Sequence, residues 1–315
     1  MTYAFDPEVA AVIPMLPQMN ITDLPAAREQ MTAMMAQRID DDSTGVTVRE
    51  ELVSGPEGAP DVRVRIYTPE RIAAPAAIFD VHGGGFIVGD LDIDHPSNLR
   101  YARELGVVVV SVDYRLAPEA PYPAGLEDCY AALVWTVKNA AELGIDPNRI
   151  VIHGASAGGG LCAGLALLAR DRGGPAIAFQ YLGVPELDDR LDTPSMRAFV
   201  DTPLWNRPSA EISWDCYLGP GVRGSADVPV YAAPARATDL AGLPPAYISV
   251  MEFDPLRDEG IAYAQALLAA GVTTELHLFP GTFHGSALAE HATVSKREVA
   301  EALAVLARAL DVELL

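Results

Sequence analysis

The sequence predicts an α/β fold in which a mostly parallel central sheet of about eight strands is flanked by helices on both faces. Three observations predict it. Short, largely apolar runs recur along the chain, helical stretches separate most of them, and one run leads through a glycine-flanked serine directly into a helix. Strands alternating with helices need crossover connections, which put strands side by side and parallel. At 315 residues, half of them hydrophobic, the chain can fill a sizeable core.

The segment before about Asp42 is proline-punctuated and rich in methionine. Asp23 can cap a helix with an apolar stripe of Leu24, Ala27, Met31, Met34, Met35 and Ile39. The stripe is expected to dock on the core, with some adaptable methionines lining a hydrophobic entrance. Residues 46–53 and 62–67 alternate with a period of two and are joined through Gly55-Pro56-Glu57-Gly58, the pattern of antiparallel strands at a sheet edge. Buried strands are expected over 77–81, 107–112, 150–152, 177–182, 247–250 and 276–279. Helices are expected over 97–105, 125–143, 157–170, 257–270 and 294–310. From about 185 to 234 the rhythm stops. Prolines, Trp205, Trp214 and a short helix near Pro208 fill an interval too long for a plain connector, so it reads as an insertion folding over the strand ends.

Charge narrows the partners. With 22 Lys+Arg against 43 Asp+Glu, a net charge of −21 repels nucleic acid and anionic lipid surfaces and favours a small neutral substrate. The start, Met1-Thr2-Tyr3-Ala4-Phe5-Asp6-Pro7-Glu8, has no basic region followed by an apolar one, and no apolar run is long enough to span a bilayer. Cys129, Cys162 and Cys216 are odd in number, widely spaced and outside any metal-binding spacing, which points to reduced thiols and a cytoplasmic location.

The chemistry centres on Gly154-Ala155-Ser156-Ala157-Gly158, where tiny neighbours let the backbone double back and lift the Ser156 hydroxyl clear of the sheet. Such a hydroxyl needs a base, and the base needs an orienting group. Of six histidines, His153 and His277 fall within strands, His95 precedes a proline, His291 adjoins the last helix and His82 opens a glycine run. His284 alone sits in a short loop after the last strand, where open α/β sheets gather reacting groups. Asp254, between a strand and a helix, is the best-placed carboxylate. Glu252 is read as still in the strand, and Asp258 and Glu259 as first-turn acids favoured by the helix dipole. The run His82-Gly83-Gly84-Gly85-Phe86 follows a strand and offers bare N–H donors for an oxyanion, completed by the N–H of Ala157. Phosphate-loop spacing is missing, and Asp90-Leu91-Asp92-Ile93-Asp94 starts like a calcium loop but has His95 and Tyr101 where glycine and glutamate belong.

Together these residues resemble the hormone-sensitive lipase family of α/β-hydrolase carboxylesterases, the bacterial family IV esterases. The likeness rests on His82-Gly83-Gly84-Gly85-Phe86, Asp113-Tyr114-Arg115-Leu116-Ala117-Pro118-Glu119, the serine turn, Asp254-Pro255-Leu256-Arg257-Asp258 and His284-Gly285. It implies a triad of Ser156, Asp254 and His284, an oxyanion hole from the N–H groups of Gly83, Gly84 and Ala157, and structural roles for Arg115 and Glu119. It further implies hydrolysis of short- to medium-chain acyl esters with neither cofactor nor metal, and a homodimer through the final strand and C-terminal helix. The implied organisation is an N-terminal cap segment over 1–45, a catalytic core over 46–184 and 235–315, and a cap insertion over 185–234. Two positions depart from the family, Ala155 where Asp is common and Ser286 where a bulky aromatic is common, and both bear on pocket shape. The rival readings are a non-catalytic small-molecule receptor on the same fold and an amidase, peptidase or thioesterase using the same triad.

Overall fold

A computed structural model describes residues 3–16, 20–38 and 42–314, with no account of the side chains of 36–38. Eight strands form one sheet: β1 (Val46–Val53), β2 (Val62–Pro69), β3 (Ala77–Val81), β4 (Val108–Asp113), β5 (Ile150–Ala155), β6 (Phe179–Gly183), β7 (Ala246–Met251) and β8 (Thr274–Phe279), in the order β1-β2-β4-β3-β5-β6-β7-β8. β2 pairs antiparallel with both β1 and β4, and every other neighbouring pair is parallel. The expected fold is the observed one. β3, β4, β5 and β7 are buried almost throughout, which is why they read as unbroken apolar runs.

The helices are α1 (Pro7–Ala10), α2 (Leu24–Arg38), α3 (His95–Leu105), α4 (Ala124–Lys138), α5 (Ala140–Leu143), α6 (Ala157–Asp171), α7 (Pro194–Ala198), α8 (Arg207–Leu218), α9 (Arg257–Ala269) and α10 (Thr293–Leu310). One apolar core lies between α4, α6 and α9 and one face of the sheet, and a second lies between α3 and α10 and the other. Because β3, β5, β7 and β8 run parallel, the glycine run, Ser156, Asp254 and His284 all emerge at one rim.

Several local expectations change. The helix expected over 125–143 breaks at Asn139, whose side chain donates to the Trp135 carbonyl at 2.8 Å and competes with helix continuation. The strand expected over 150–152 runs on to Ala155, straight into the serine turn. A short helix at α1, absent from the sequence reading, is capped by Asp6, which accepts from the Glu8 N–H at 2.8 Å. Asp23 accepts from the Ala26 N–H at 3.2 Å at the start of α2, and Ala27 and Met35 are buried; Ile39 lies outside the described residues. Between 185 and 234 the chain forms α7 and α8 and contains no strand, with Trp214 wholly buried. Arg236 clasps buried Asp189 with hydrogen bonds of 2.5 and 2.9 Å, tying the end of this interval to its start.

Candidate active site

The turn at Ser156 is built by what cannot fit. A Cβ on Gly154 would lie 2.5 Å from Gly158 backbone, and one on Gly158 would lie 2.0 Å from the Val81 carbonyl oxygen. Ser156 itself takes φ 58° and ψ −124°, a conformation disfavoured for a residue bearing a side chain. Its backbone is held on both sides: the N–H donates to the Gly183 carbonyl at 2.8 Å, and its carbonyl accepts from Gly160 at 3.0 Å and Glu186 at 3.1 Å.

His284 brings Nε2 to 3.0 Å from Ser156 Oγ, while its Nδ1 lies 2.8 Å from Asp254 Oδ2. Asp254 is buried, and its second oxygen accepts from the Leu256 N–H at 2.9 Å, so the carboxylate is fixed from two directions. The His284 loop is braced as well. Gly281 donates to Glu252 at 2.7 Å, Phe253 donates to the Thr282 carbonyl at 2.9 Å, and Asp6 donates to the Gly281 carbonyl at 2.8 Å. Phe5 packs edge-on against Phe283, with ring centroids 5.3 Å apart. Glu252 therefore lies just past β7 and fastens the loop, contrary to its reading as a strand residue. Asp258 accepts from the Ser195 N–H at 2.8 Å, and buried Glu259 accepts from the N–H groups of Leu187 and Asp188, so both clamp the 185–234 interval.

Four of the other five histidines are occupied elsewhere. His153 pairs with buried Asp80 at 2.8 Å, and Asp80 also accepts from Asn98 and Ser111. His277 meets Glu301 at 2.7 Å. His95 Nδ1 lies 2.8 Å from the Tyr67 hydroxyl. His82 donates from Nδ1 to the Gly83 carbonyl at 2.7 Å and stacks on Tyr114 at 4.2 Å, and its burial depresses its basicity and keeps it neutral.

Gly83 abuts the serine turn, where an added Cβ would stand 3.0 Å from the Ala155 carbonyl oxygen. Gly84 has φ +115°, and a Cβ there would lie 2.0 Å from the Val88 carbonyl oxygen. Among the described residues, no backbone hydrogen bond of the turns and loops engages the N–H of Gly83, Gly84 or Ala157. The run is supported from below. Arg115 makes a bidentate contact with buried Asp128 at 2.7 and 2.8 Å. Arg28 of α2 donates to the carbonyls of Ile87 and Ala117 and to both oxygens of Glu119.

Sequence reasoning missed Glu186. Its carboxyl is fully buried beside the site, accepts from Ser213 Oγ at 3.1 Å, and is pushed up to about 8, chiefly by burial and further by the charge of Asp254. The same Ser213 hydroxyl reaches the Gly85 carbonyl at 2.8 Å. Only its place after a β-strand hinted at a role, and that signal is common to many acids.

A cavity of about 860 Å³ opens over Ser156 and His284. Met31, Met34 and Met35 of α2 line it together with Ile87, Val88, Leu204 and Trp205, so the methionine stripe both docks and lines. The Trp205 and His284 ring centroids are 5.8 Å apart. Among the described residues no cluster of three His, Cys, Asp or Glu side chains is arranged to hold a metal, and Asp92 of the aspartate run is bound to Arg65 at 2.7 Å. The three cysteines are free thiols, and among the described residues no helix is long and apolar enough to cross a membrane.

Comparison with known proteins shows the family. The family model described as the alpha/beta hydrolase fold matches residues 78–288. The chain is 45% identical over 239 residues to the carboxylesterase NlhH of Mycobacterium tuberculosis, covering 75% of this chain and 74% of that protein. It is 38% identical over 288 residues to the esterase LipI of the same organism, covering 90% and 88%. Among solved structures, a bacterial heroin esterase superposes with a TM-score of 0.95 at 53% identity over 98% of both chains. The chain belongs to the α/β-hydrolase fold family, in its hormone-sensitive lipase branch.

Proposed function

We propose that the protein is a serine carboxylesterase acting on short- to medium-chain acyl esters. The observation that carries this reading is the continuous contact from Asp254 through His284 to Ser156, at 2.8 and 3.0 Å, on the floor of a largely apolar cavity. Ser156 Oγ attacks the ester carbonyl as His284 Nε2 takes its proton, and Asp254 stabilises the imidazolium. The developing oxyanion is met by the N–H groups of Gly83, Gly84 and Ala157. His284 then protonates the departing alcohol, and a water deprotonated by His284 attacks the acyl-enzyme and frees the acid. Every step uses the chain's own groups, without a cofactor. Ser156→Ala is expected to abolish turnover of a short p-nitrophenyl ester while circular dichroism and melting stay native; undiminished turnover would refute the assignment.

The supporting architecture is a cap assembled from residues 1–45 and 185–234 over a core of 46–184 and 235–315. A homodimer through β8 and α10 suits the edge position of β8 and its exposed Leu276 and Leu278, and light scattering tests it. Free thiols suit a cytoplasmic protein. The receptor reading is disfavoured by the His284 contact with Ser156, and labelling by an active-site phosphonate separates the two. Matched ester, thioester and amide substrates separate esterase from the other acyl-transfer activities.

A further inference from the structure

The Ser213 hydroxyl touches two oxygens and owns one hydrogen. From α8 its Oγ lies 2.8 Å from the Gly85 carbonyl oxygen and 3.1 Å from Glu186 Oε1, and the Ser213 and Glu186 side chains are both wholly buried. A hydroxyl donates once, whereas a carbonyl and a carboxylate only accept. With Glu186 ionised, Ser213 can serve one neighbour, and the other pair of oxygens face each other with no hydrogen between them. With a proton on Glu186 Oε1 both contacts become hydrogen bonds: the carboxyl donates to Ser213, and Ser213 donates to Gly85. Glu186 Oε2 is buried without a partner among the described residues, which also suits the neutral form, because an unpaired carbonyl oxygen costs less than an unpaired charge.

The Gly85 carbonyl matters because of where it sits. Gly85 ends the glycine run beside Ser156, with φ +57°. Its neighbours are tied within the loops: the Gly84 carbonyl accepts from Ile87 and Val88 at 3.1 and 3.0 Å, and the Phe86 carbonyl accepts from Ala117 at 2.9 Å. Among the described residues no backbone N–H of the turns and loops serves Gly85, so the Ser213 hydroxyl holds that peptide from the 185–234 interval. Glu186 is joined to the nucleophile as well, its N–H donating to the Ser156 carbonyl at 3.1 Å. We propose that Glu186 is a positioning residue for the oxyanion loop. Its protonated carboxyl donates to Ser213 and leaves the Ser213 hydrogen on the Gly85 carbonyl; loss of that proton draws the hydroxyl to the carboxylate and releases the loop. The inference rests on the carboxylesterase reading above and deepens it. The surroundings keep the proton in place. Asp254 after β7 and Glu259 of α9 are the acids facing it, Tyr114 after β4 and Tyr217 of α8 face it as phenols that burial keeps neutral, and α6 presents Gly160. Among the described residues no cation is bonded to Glu186, and burial together with the charge of Asp254 pushes its carboxyl up to about 8.

The test follows kcat and KM for p-nitrophenyl acetate from about pH 6.5 to about pH 9.5, with circular dichroism recorded at each pH. Wild-type kcat is expected to fall by about tenfold on a one-proton curve centred near pH 8, while KM stays within about twofold and the fold stays native. Glu186→Gln, whose amide is a permanent donor to Ser213, should lose that alkaline limb and hold its rate across the range. Ser213→Ala leaves the Gly85 carbonyl without its donor at every pH, so its kcat should be flat and near the lower level of the wild type. An infrared band of a protonated carboxyl, present in the wild type at the acid end and missing from Glu186→Gln, reports the proton directly. If Glu186→Gln does not fold, the wild-type and Ser213→Ala profiles decide alone. A wild-type kcat without an alkaline fall, a limb that persists in either variant, a fall that tracks unfolding, or a carboxyl ionised throughout overturns the proposal. A protonated carboxyl with no turnover of any ester overturns instead the esterase reading beneath it, and the positioning role falls with that reading.

Discussion

Arg28 and Glu119 meet through two hydrogen bonds of 2.8 Å, joining α2 to the loop beside the glycine run. The guanidinium also donates to the carbonyls of Ile87 and Ala117, so one side chain ties the methionine-bearing wall of the cavity to the loops beneath it. The glutamate is 64% exposed, and an exposed ion pair is worth little. The carbonyl contacts are half-buried and matter more.

Glu119→Gln is therefore expected to cost less than about 1 kcal/mol. Arg28→Ala should cost about 1–2 kcal/mol, because it strands two carbonyls, and should raise KM more than it lowers kcat as α2 loosens over the cavity. Urea denaturation and steady-state kinetics on the two variants check the ordering.

Asp254→Asn keeps the shape of the site but leaves His284 without its anionic partner. Turnover is expected to fall by roughly 10⁴, as for an orienting carboxylate in serine hydrolases generally, and His284→Gln should fall at least as far. Both proteins should melt near the wild-type temperature. Ester hydrolysis followed beside thermal unfolding decides it.

Gly84→Ala places a methyl group against the Val88 carbonyl and a side chain on a backbone at φ +115°. The loop must move, and its N–H groups move with it. A loss of about 10²–10³ in kcat is the expected size when one oxyanion donor is displaced. Binding of a substrate-like ketone, measured calorimetrically, should weaken far less than turnover.

Glu186 makes stability depend on pH in a definite direction. Its carboxyl titrates near 8 when folded, against an ordinary value of 4.5, so between those values the folded state binds a proton that the unfolded state has released. Its contribution is fully present below about pH 4.5 and is lost as pH rises through about 8. Glu186→Gln should remove that part of the decline, which is on the order of a few kcal/mol, and keep an acceptor for Ser213. Urea midpoints from about pH 5 to about pH 8.5 on both proteins test it.

The parts legible in the sequence are those fixed by local rules. The serine turn needs Gly154 and Gly158 within five residues, and strand β5 and helix α6 announce themselves by apolar content, so the turn that presents Ser156 could be read directly. His284 and Asp254 followed from chain order and from the rule that reacting groups gather at strand ends. Arg28 and Glu186 were not legible, because their partners lie far along the chain and an isolated Arg or Glu carries no spacing signal. Asn139 went unnoticed for the opposite reason: apolar periodicity spans 125–143, and a single side-chain bond to Trp135 decides the break.

The first ten described residues do more than cover apolar surface. Asp6 is bonded to Gly281, Phe5 packs on Phe283, and Glu8 accepts from the Thr293 N–H at 2.6 Å, so this strand of chain flanks the His284 loop on both sides. A protease that clipped the polypeptide just after residue 10 would leave the sheet and the cores on its two faces whole, yet would loosen the smaller apolar cluster of Val9, Phe279 and Phe283 and unmoor the imidazole. Loss of esterase activity would then run ahead of any loss of fold.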